Sequence, residues 1–132
     1  MSAEHPNAAL ARRVFDAFSR RDGRVVAAAL DEDVVWRVGG RSPMAGEYRG
    51  RREVARFLAR TTALTNGTYR SELLFTVADD DHVVIVYRAR GERGERSIDL
   101  EQVLLCRVRG GRFVEVAAVP TDQYLFDSFW RD

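Results

Sequence analysis

Apolar residues are spaced in two different ways along this chain, and the change comes near residue 68. From Asn7 to Arg21 they recur at Leu10, Val14, Ala17 and Phe18, with Ala11 and Phe15 alongside, the three-to-four spacing of a helix with one buried stripe. Pro6-Asn7 suits its start and Asp22-Gly23 its end. A shorter helix is predicted over Arg24 to Leu30, running into an acidic turn at Asp31-Glu32-Asp33. Arg51 to Leu64 is helical again, with Val54, Phe57, Leu58, Thr61 and Leu64 on one side, and Asn66-Gly67 breaks it. From Thr68 the period falls to two. Tyr69 to Ala78, His82 to Gly91, Ser97 to Arg109 and Arg112 to Val119 read as strands. Their connections are too short for helical crossovers, so neighbours must run antiparallel. A last apolar run, within Thr121 to Trp130, predicts a short helix that docks on an apolar surface. The order is segregated α+β in one domain spanning residues 1–132.

Between the two halves lies Trp36 to Gly50, WRVGGRSPMAGEYRG. A β-branched strand, Val34-Val35-Trp36, enters a Gly-Gly turn, and a short extended piece at Glu47-Tyr48 precedes a further turn at Gly50. Glycine and proline reach backbone angles that other residues adopt only with strain. The stretch therefore steers the chain sharply twice and is expected to form the rim of a pocket floored by the later strands.

Composition narrows the chemistry. The 132 residues carry a net charge of +1, which gives no bulk electrostatic reason to expect a nucleic acid or an anionic membrane. All 21 basic residues are Arg, so no side-chain lysine is available for Schiff-base chemistry. One cysteine, Cys106, and two histidines, His5 and His82, leave too few ligands for a Cys-rich or multi-His metal centre. No cofactor is expected. No apolar run approaches the length of a membrane span and Met1 to Asn7 reads as no signal peptide, which points to a cytoplasmic protein with no membrane partner.

Strand alternation nominates a pocket wall. Putting Arg107 and Arg109 in solvent turns Ile98, Leu100, Gln102, Leu104, Cys106 and Val108 inward. On the preceding strand Val84, Val86 and Arg88 are taken as the inward set, and on the last strand Val114, Val116 and Ala118, with Asp122 just beyond. Substrate contacts are accordingly placed at Trp36, Tyr48, Val86, Gln102, Leu104, Val116 and Ala118. Arg88 and Asp122 are the catalytic candidates. An inward guanidinium needs a carboxylate such as Asp122 or Glu101, or else a ligand anion, or it ends at the surface with its stem on apolar area. Asp122 beside an apolar pocket could have its acidity tuned for proton transfer, or it could simply cap the last helix.

The Trp-bearing first strand, the segment GGRSPMAGEYRGRREVARFL, the long meander and the terminal DQYLFDSFW together resemble the SnoaL-like members of the nuclear transport factor 2-like superfamily, over about Ala8 to Trp130. The resemblance implies a cystatin-like cone: three N-terminal helices packed on a strongly curved antiparallel sheet, an apolar cavity open at one end, and a homodimer through the outer sheet face. It also implies a range of activities, from ketosteroid isomerisation, epoxide hydrolysis and polyketide ring closure to plain ligand or partner binding. The isomerase base position falls near Val38, and the second carboxylate of the epoxide hydrolases near Ala118. Arg88 matches the arginine of the epoxide hydrolases, but the aspartate two residues later is Arg90; Asp122 would match the lone acid of the ring-closing enzymes only with the register shifted by a few residues or the tail folded back. Two readings follow: a cofactor-free isomerase, cyclase or hydrolase acting on a ketide- or terpenoid-like molecule, or a dimeric ligand-binding or protein-interaction module without catalysis.

Overall fold

The structure, a computed structural model, describes residues 4–132; residues 1–3, part of the stretch read above as no leader, lie outside the described residues. Helix α1 (Pro6–Ser19) opens with Pro in its first turn, where a missing N–H costs nothing. His5 caps it: the ring Nδ1 accepts from Asn7 N at 3.0 Å. The buried Asn7 amide in turn donates to the carbonyls of Asp79 and Asp80, tying the helix start to a distant turn. Asp22 caps α2 (Gly23–Ala28) through the N–H of Val25. Helix α3 (Gly50–Leu64) starts where Glu53 accepts from Arg49 N, half of a capping box.

Six strands form a single curved, open sheet in the order β2-β1-β6-β5-β4-β3. They are β1 (Leu30–Val38), β2 (Gly46–Arg49), β3 (Arg70–Ala78), β4 (His82–Arg93), β5 (Arg96–Arg109) and β6 (Arg112–Pro120). All neighbours are antiparallel except β1 and β6, which run parallel. The expected α+β cone is therefore the observed architecture, a curved sheet of six strands with four helices.

Two expectations shift in detail. The acidic Asp31-Glu32-Asp33 is part of β1 and not a turn, because Leu30 and Val34 on either side both sink into the core and hold the chain extended. The charged stretch after Gly91 is also strand: β4 and β5 continue to an Arg93–Arg96 pair around Gly94-Glu95, with Gly94 at φ 60°.

Irregularities in register decide which side chains meet the helices. Between β5 and β6 the pairing jumps from Arg107↔Glu115 to Val108↔Phe113. Val114 is the extra residue of this bulge, so Phe113 and Val116, three apart, both point inward. A similar jump between Leu73 and Phe75 leaves Leu74 extra on β3.

Helix α4 (Gln123–Trp130) lies over the sheet and buries Phe126, Phe129 and Trp130. Each such aromatic contributes about 2–3 kcal/mol by removal from water. The end of the helix is held by the β4–β5 hairpin. Arg93 donates to the carbonyls of Phe129 (2.7 Å) and Arg131 (2.9 Å) and lies over the Trp130 ring at 5.9 Å, while Arg96 reaches the carbonyls of Arg131 and Asp132. The other side of α4 meets the Gly39-Gly40 turn. Gly40 has φ +95°, and a Cβ there would overlap Asp127 Oδ1 and Gln123 Nε2, which are hydrogen-bonded to each other at 3.0 Å. Gly40→Ala is expected to lower unfolding free energy by about 2 kcal/mol, from left-handed strain and the collision together. Urea denaturation checks this, and a loss below about 0.5 kcal/mol would show that the turn relaxes freely.

Candidate functional site

The inner face of the sheet, the inward stripes of the helices and the underside of α4 enclose a cavity of about 80 Å³ that is partly open to solvent. Val14, Phe15 and Phe18 enter it from α1, and Phe57, Leu58 and Thr61 from α3. Phe126 and Trp130 roof it from α4, with Met44 reaching in from the rim. The cavity is slimmer than the few hundred Å³ usual for ligand sites because these aromatic side chains intrude on it. No Asp, Glu, Arg or His is among the lining residues.

The polar groups that do line it converge on one stretch of wall. Tyr87 on β4 and Gln102 on β5 are directly paired across the sheet, and Ser71 pairs with Ala89 in the adjoining row. Tyr69, just before β3, accepts from Gln102 Nε2 at 3.4 Å, and its phenol lies within reach of Ser71 and Tyr87 as well. Gln102 is only 2 % exposed. The Thr61 hydroxyl is spent on the carbonyl of Leu58 at 2.6 Å. Across the wall, the indole Nε1 of Trp36 is buried without a hydrogen-bond partner. An unmet donor of that kind costs about 1–3 kcal/mol unless a guest satisfies it.

The structure sorts the candidates read from the sequence. Trp36, Gln102, Leu104, Val116 and Ala118 line the cavity. Tyr48 is not among the lining residues: its ring packs against Phe57 at 4.5 Å between centroids, tilted by 36°, with its hydroxyl donating to the carbonyl of Met44 at 2.6 Å. Val86 and Arg88 do not face inward. On β4 the buried set is Val83, Ile85, Tyr87 and Ala89. Arg88 lies on the outer face, in a two-pronged pair with Asp99, both hydrogen bonds at 2.7 Å. Neither Asp122 nor Glu101 is its hydrogen-bonded partner. Asp122 is exposed and caps α4, accepting from Leu125 N at 3.0 Å. The two residues nominated for catalysis are thus both outside the cavity. The signal for the inward set on β4 is slight: between His82 and Gly91 the two alternating sets differ in charge only through Arg88 and Arg90, and the set without them, which includes Tyr87, is the one that faces inward. On β6 the bulge puts Phe113 in place of the expected Val114, and alternation alone gives no sign of it.

Among the described residues, no group of three or more His, Cys, Asp and Glu side chains comes together as a metal would require. No helix among the described residues is long and apolar enough to cross a membrane.

Burial dominates the titration of the wall. It pushes the Tyr69 phenol up to about 12, raises Tyr87 well above its ordinary 10, and lifts the Cys106 thiol from 9.0 to about 12. These groups stay neutral while folded, whereas an unfolded chain would release their protons from about pH 9–10 upward. Stability from this source is therefore complete below the unfolded values and is lost as pH rises towards 12. For Tyr69 alone the loss is on the order of 2–3 kcal/mol. Alkaline melting curves should show Tyr69 and Tyr87 forming tyrosinate only with unfolding. Ionisation of either near pH 10 in the intact fold would show that the wall is wet.

The chain matches the SnoaL-like domain over residues 11–116. It is 33% identical over 122 residues to an uncharacterized protein of Mycobacterium tuberculosis and to one of Mycobacterium bovis, covering 92% of this chain and 93% of each of theirs. Among solved structures, Bal32a from a soil-derived mobile gene cassette superimposes with a TM-score of 0.92 at 31% identity, covering 96% of this chain and 97% of that one. A protein of unknown function with a cystatin-like fold from Xanthomonas campestris superimposes with a TM-score of 0.88 at 26% identity, covering 96% and 98%. A domain match over most of the chain, joined to relatives of nearly equal length, places this protein in the SnoaL-like family of the nuclear transport factor 2-like superfamily.

Proposed function

We propose that this protein binds a small apolar molecule in the cone, and that binding, not proton transfer, is what the cavity is built for. The observation that carries this is the lining: apolar and aromatic, with a few convergent hydrogen-bonding groups and no carboxylate or imidazole inside. A general acid or base must reach the proton it moves within hydrogen-bond distance. The remaining groups that could hold a proton, Tyr69, Tyr87 and Cys106, are all shifted by burial away from the neutral range where such a group works. The isomerase or cyclase reading on a ketide- or terpenoid-like substrate would need Asp122 to leave its capping position and enter the cavity. Asp122→Asn, with capping retained by the amide, should therefore leave ligand binding unchanged.

A homodimer through the sheet is the second part of the proposal, and a specific surface supports it. On the outer face Phe75, Val86, Val103 and Val119 are paired in one row across four strands, and Val77, Val84, Leu105 and Ala117 in the next. Phe75 and Val77 are 55% and 62% exposed. Charged rows border them, Glu72–Arg88–Glu101 on one side and His82–Arg107–Glu115 on the other. An eight-residue apolar patch inside a charged frame is what a self-complementary sheet interface needs.

Native mass spectrometry of freshly purified protein addresses both parts. We expect a retained small molecule and a dimer. Ala118→Phe, which fills the cavity at about 1–3 kcal/mol of overpacking, should lose the molecule but keep the dimer. Leu105→Glu, which puts an unpaired charge into the patch, should give a monomer that keeps the molecule. A bare chain that no apolar probe stabilises against heat would remove the ligand reading, and a wild-type monomer at micromolar concentration would remove the dimer.

A further inference from the structure

Four of the five charged side chains of α3 are arginines, in a chain whose net charge is only +1. Two of the five are engaged locally: Arg51 donates to the carbonyl of Leu30 at 2.8 Å, and Glu53 accepts from the backbone N–H of Arg49 at 3.0 Å. The other three, Arg52, Arg56 and Arg60, recur at every fourth residue and are exposed. That spacing puts them on one face of the helix, about 6 Å apart along its axis. Among the described residues none of the three forms an ion pair. Arginines elsewhere do: Arg20 with Asp16, Arg49 with Glu47, Arg88 and Arg90 with Asp99, and Arg107 with Glu115. Like charges four residues apart on a helix repel, so this ladder weakens α3 when nothing faces it. Opposite charges brought from outside turn the same ladder into an attraction.

Shape selects among the polyanions that would do so. Beside the arginines runs a second row, Ala55, Ala59 and Ala63, also exposed. Side chains of this size let another helix approach closely, where longer ones would hold it off. They give a bilayer nothing to bury, since an interfacial helix inserts large apolar residues such as Trp, Phe or Leu. A nucleic-acid backbone meets a different obstacle. The acidic Asp31-Glu32-Asp33 of β1 lies where α3 begins, and a Cβ on Gly50 would sit 3.6 Å from the carbonyl of Glu32. Phosphates running on past the first rung of the ladder would meet that acidic group. A short acidic helix ends before it.

We propose that α3 is a docking face for an acidic helix of another protein, whose carboxylates, spaced every fourth residue, meet Arg52, Arg56 and Arg60 while its backbone closes on Ala55, Ala59 and Ala63. The last rung ties this face to the rim. Burial raises the Tyr48 phenol, and the charge of Arg60 close to it pulls the phenol down. Tyr48 in turn donates to the carbonyl of Met44, whose side chain reaches into the cavity. A docked partner therefore sits beside the segment that borders the cavity.

The probes are hydrocarbon-stapled helical peptides of about 18 residues, stapled because short isolated helices are only marginally formed in water. One carries three Glu in a row at every fourth position. Its isomer has the same composition with the three Glu spread around the helix. Fluorescence anisotropy on the full-length chain at low salt should show the row peptide binding about tenfold tighter than the isomer. Raising salt from about 50 mM to about 300 mM should weaken the row peptide by a similar factor. Arg52→Gln, Arg56→Gln and Arg60→Gln combined, all at exposed positions, should abolish the preference while circular dichroism stays as in the parent chain. Ala59→Phe keeps every charge and should cut the preference to about twofold or less, a loss that charge alone would not produce. Arg56→Glu, paired with a row peptide carrying Lys as its middle residue, should restore the tight binding. Equal affinity for the two peptides, no binding of either, or a preference that survives the triple change would each overturn the proposal. Arginine-dependent binding of duplex DNA or of phosphatidylglycerol vesicles that exceeds binding of the row peptide would overturn it too, giving the face to a nucleic acid or a membrane.

Discussion

The constraint on which the structure depends is the sorting of charge by strand parity on β4, β5 and β6. Alternate side chains of a strand point to opposite faces, so one face can be emptied of charge only if every charged residue falls on the other parity. On β5 this holds from Ser97 onward: Asp99, Glu101, Arg107 and Arg109 are exposed on one parity, while Ile98, Leu100, Gln102, Leu104, Cys106 and Val108 are buried on the other. Arg96 shares the inward parity but sits at the strand's start, where it reaches the carbonyls of Arg131 and Asp132. β5 has the longest pairing in the sheet and sits between β4 and β6, so its inner face sets the wall for both neighbours. A slip of one residue would drive Asp99, Glu101, Arg107 and Arg109 into the helices and expose the core. The register is therefore fixed by the cost of desolvation as much as by the hydrogen-bond ladder.

The same sorting leaves the sheet with two apolar faces of different character. The inner face is closed by helices whose aromatic side chains leave a slim void; the outer face has no covering element among the described residues and carries two complete apolar rows. Because Arg88 pairs with Asp99 on the outer side, its charge contributes to the frame around those rows and not to the cavity. One sequence position can thus change the functional reading of the whole strand, depending only on which face it takes.

How much was legible follows from this. Helix spacing, strand spacing, the Gly-rich rim and the terminal aromatic run together located every element, and the inward face of β5 came directly from its two outward arginines. The inward face of β4 did not, because both of its alternating sets are apolar over Val83 to Val86 and only Arg88 and Arg90 separate them. β6 was beyond reach for a different reason: its bulge is a property of how two strands are paired, not of either strand alone. The polar cluster shows the same limit. Ser71, Tyr87 and Gln102 come from three strands, Tyr69 from the residue before the first of them, and they lie up to 33 positions apart in the chain, so no local spacing links them.

The hold of Arg93 and Arg96 on the carbonyls at the end of α4 joins the roof of the cavity to the sheet. Phe126 and Trp130 line the cavity from that helix, so the β4–β5 hairpin that grips it also governs how far the greasy wall is covered. Access to the cone and the seating of α4 are thereby one mechanical event: lifting the helix would lay the trough bare, and seating it would shut the trough again.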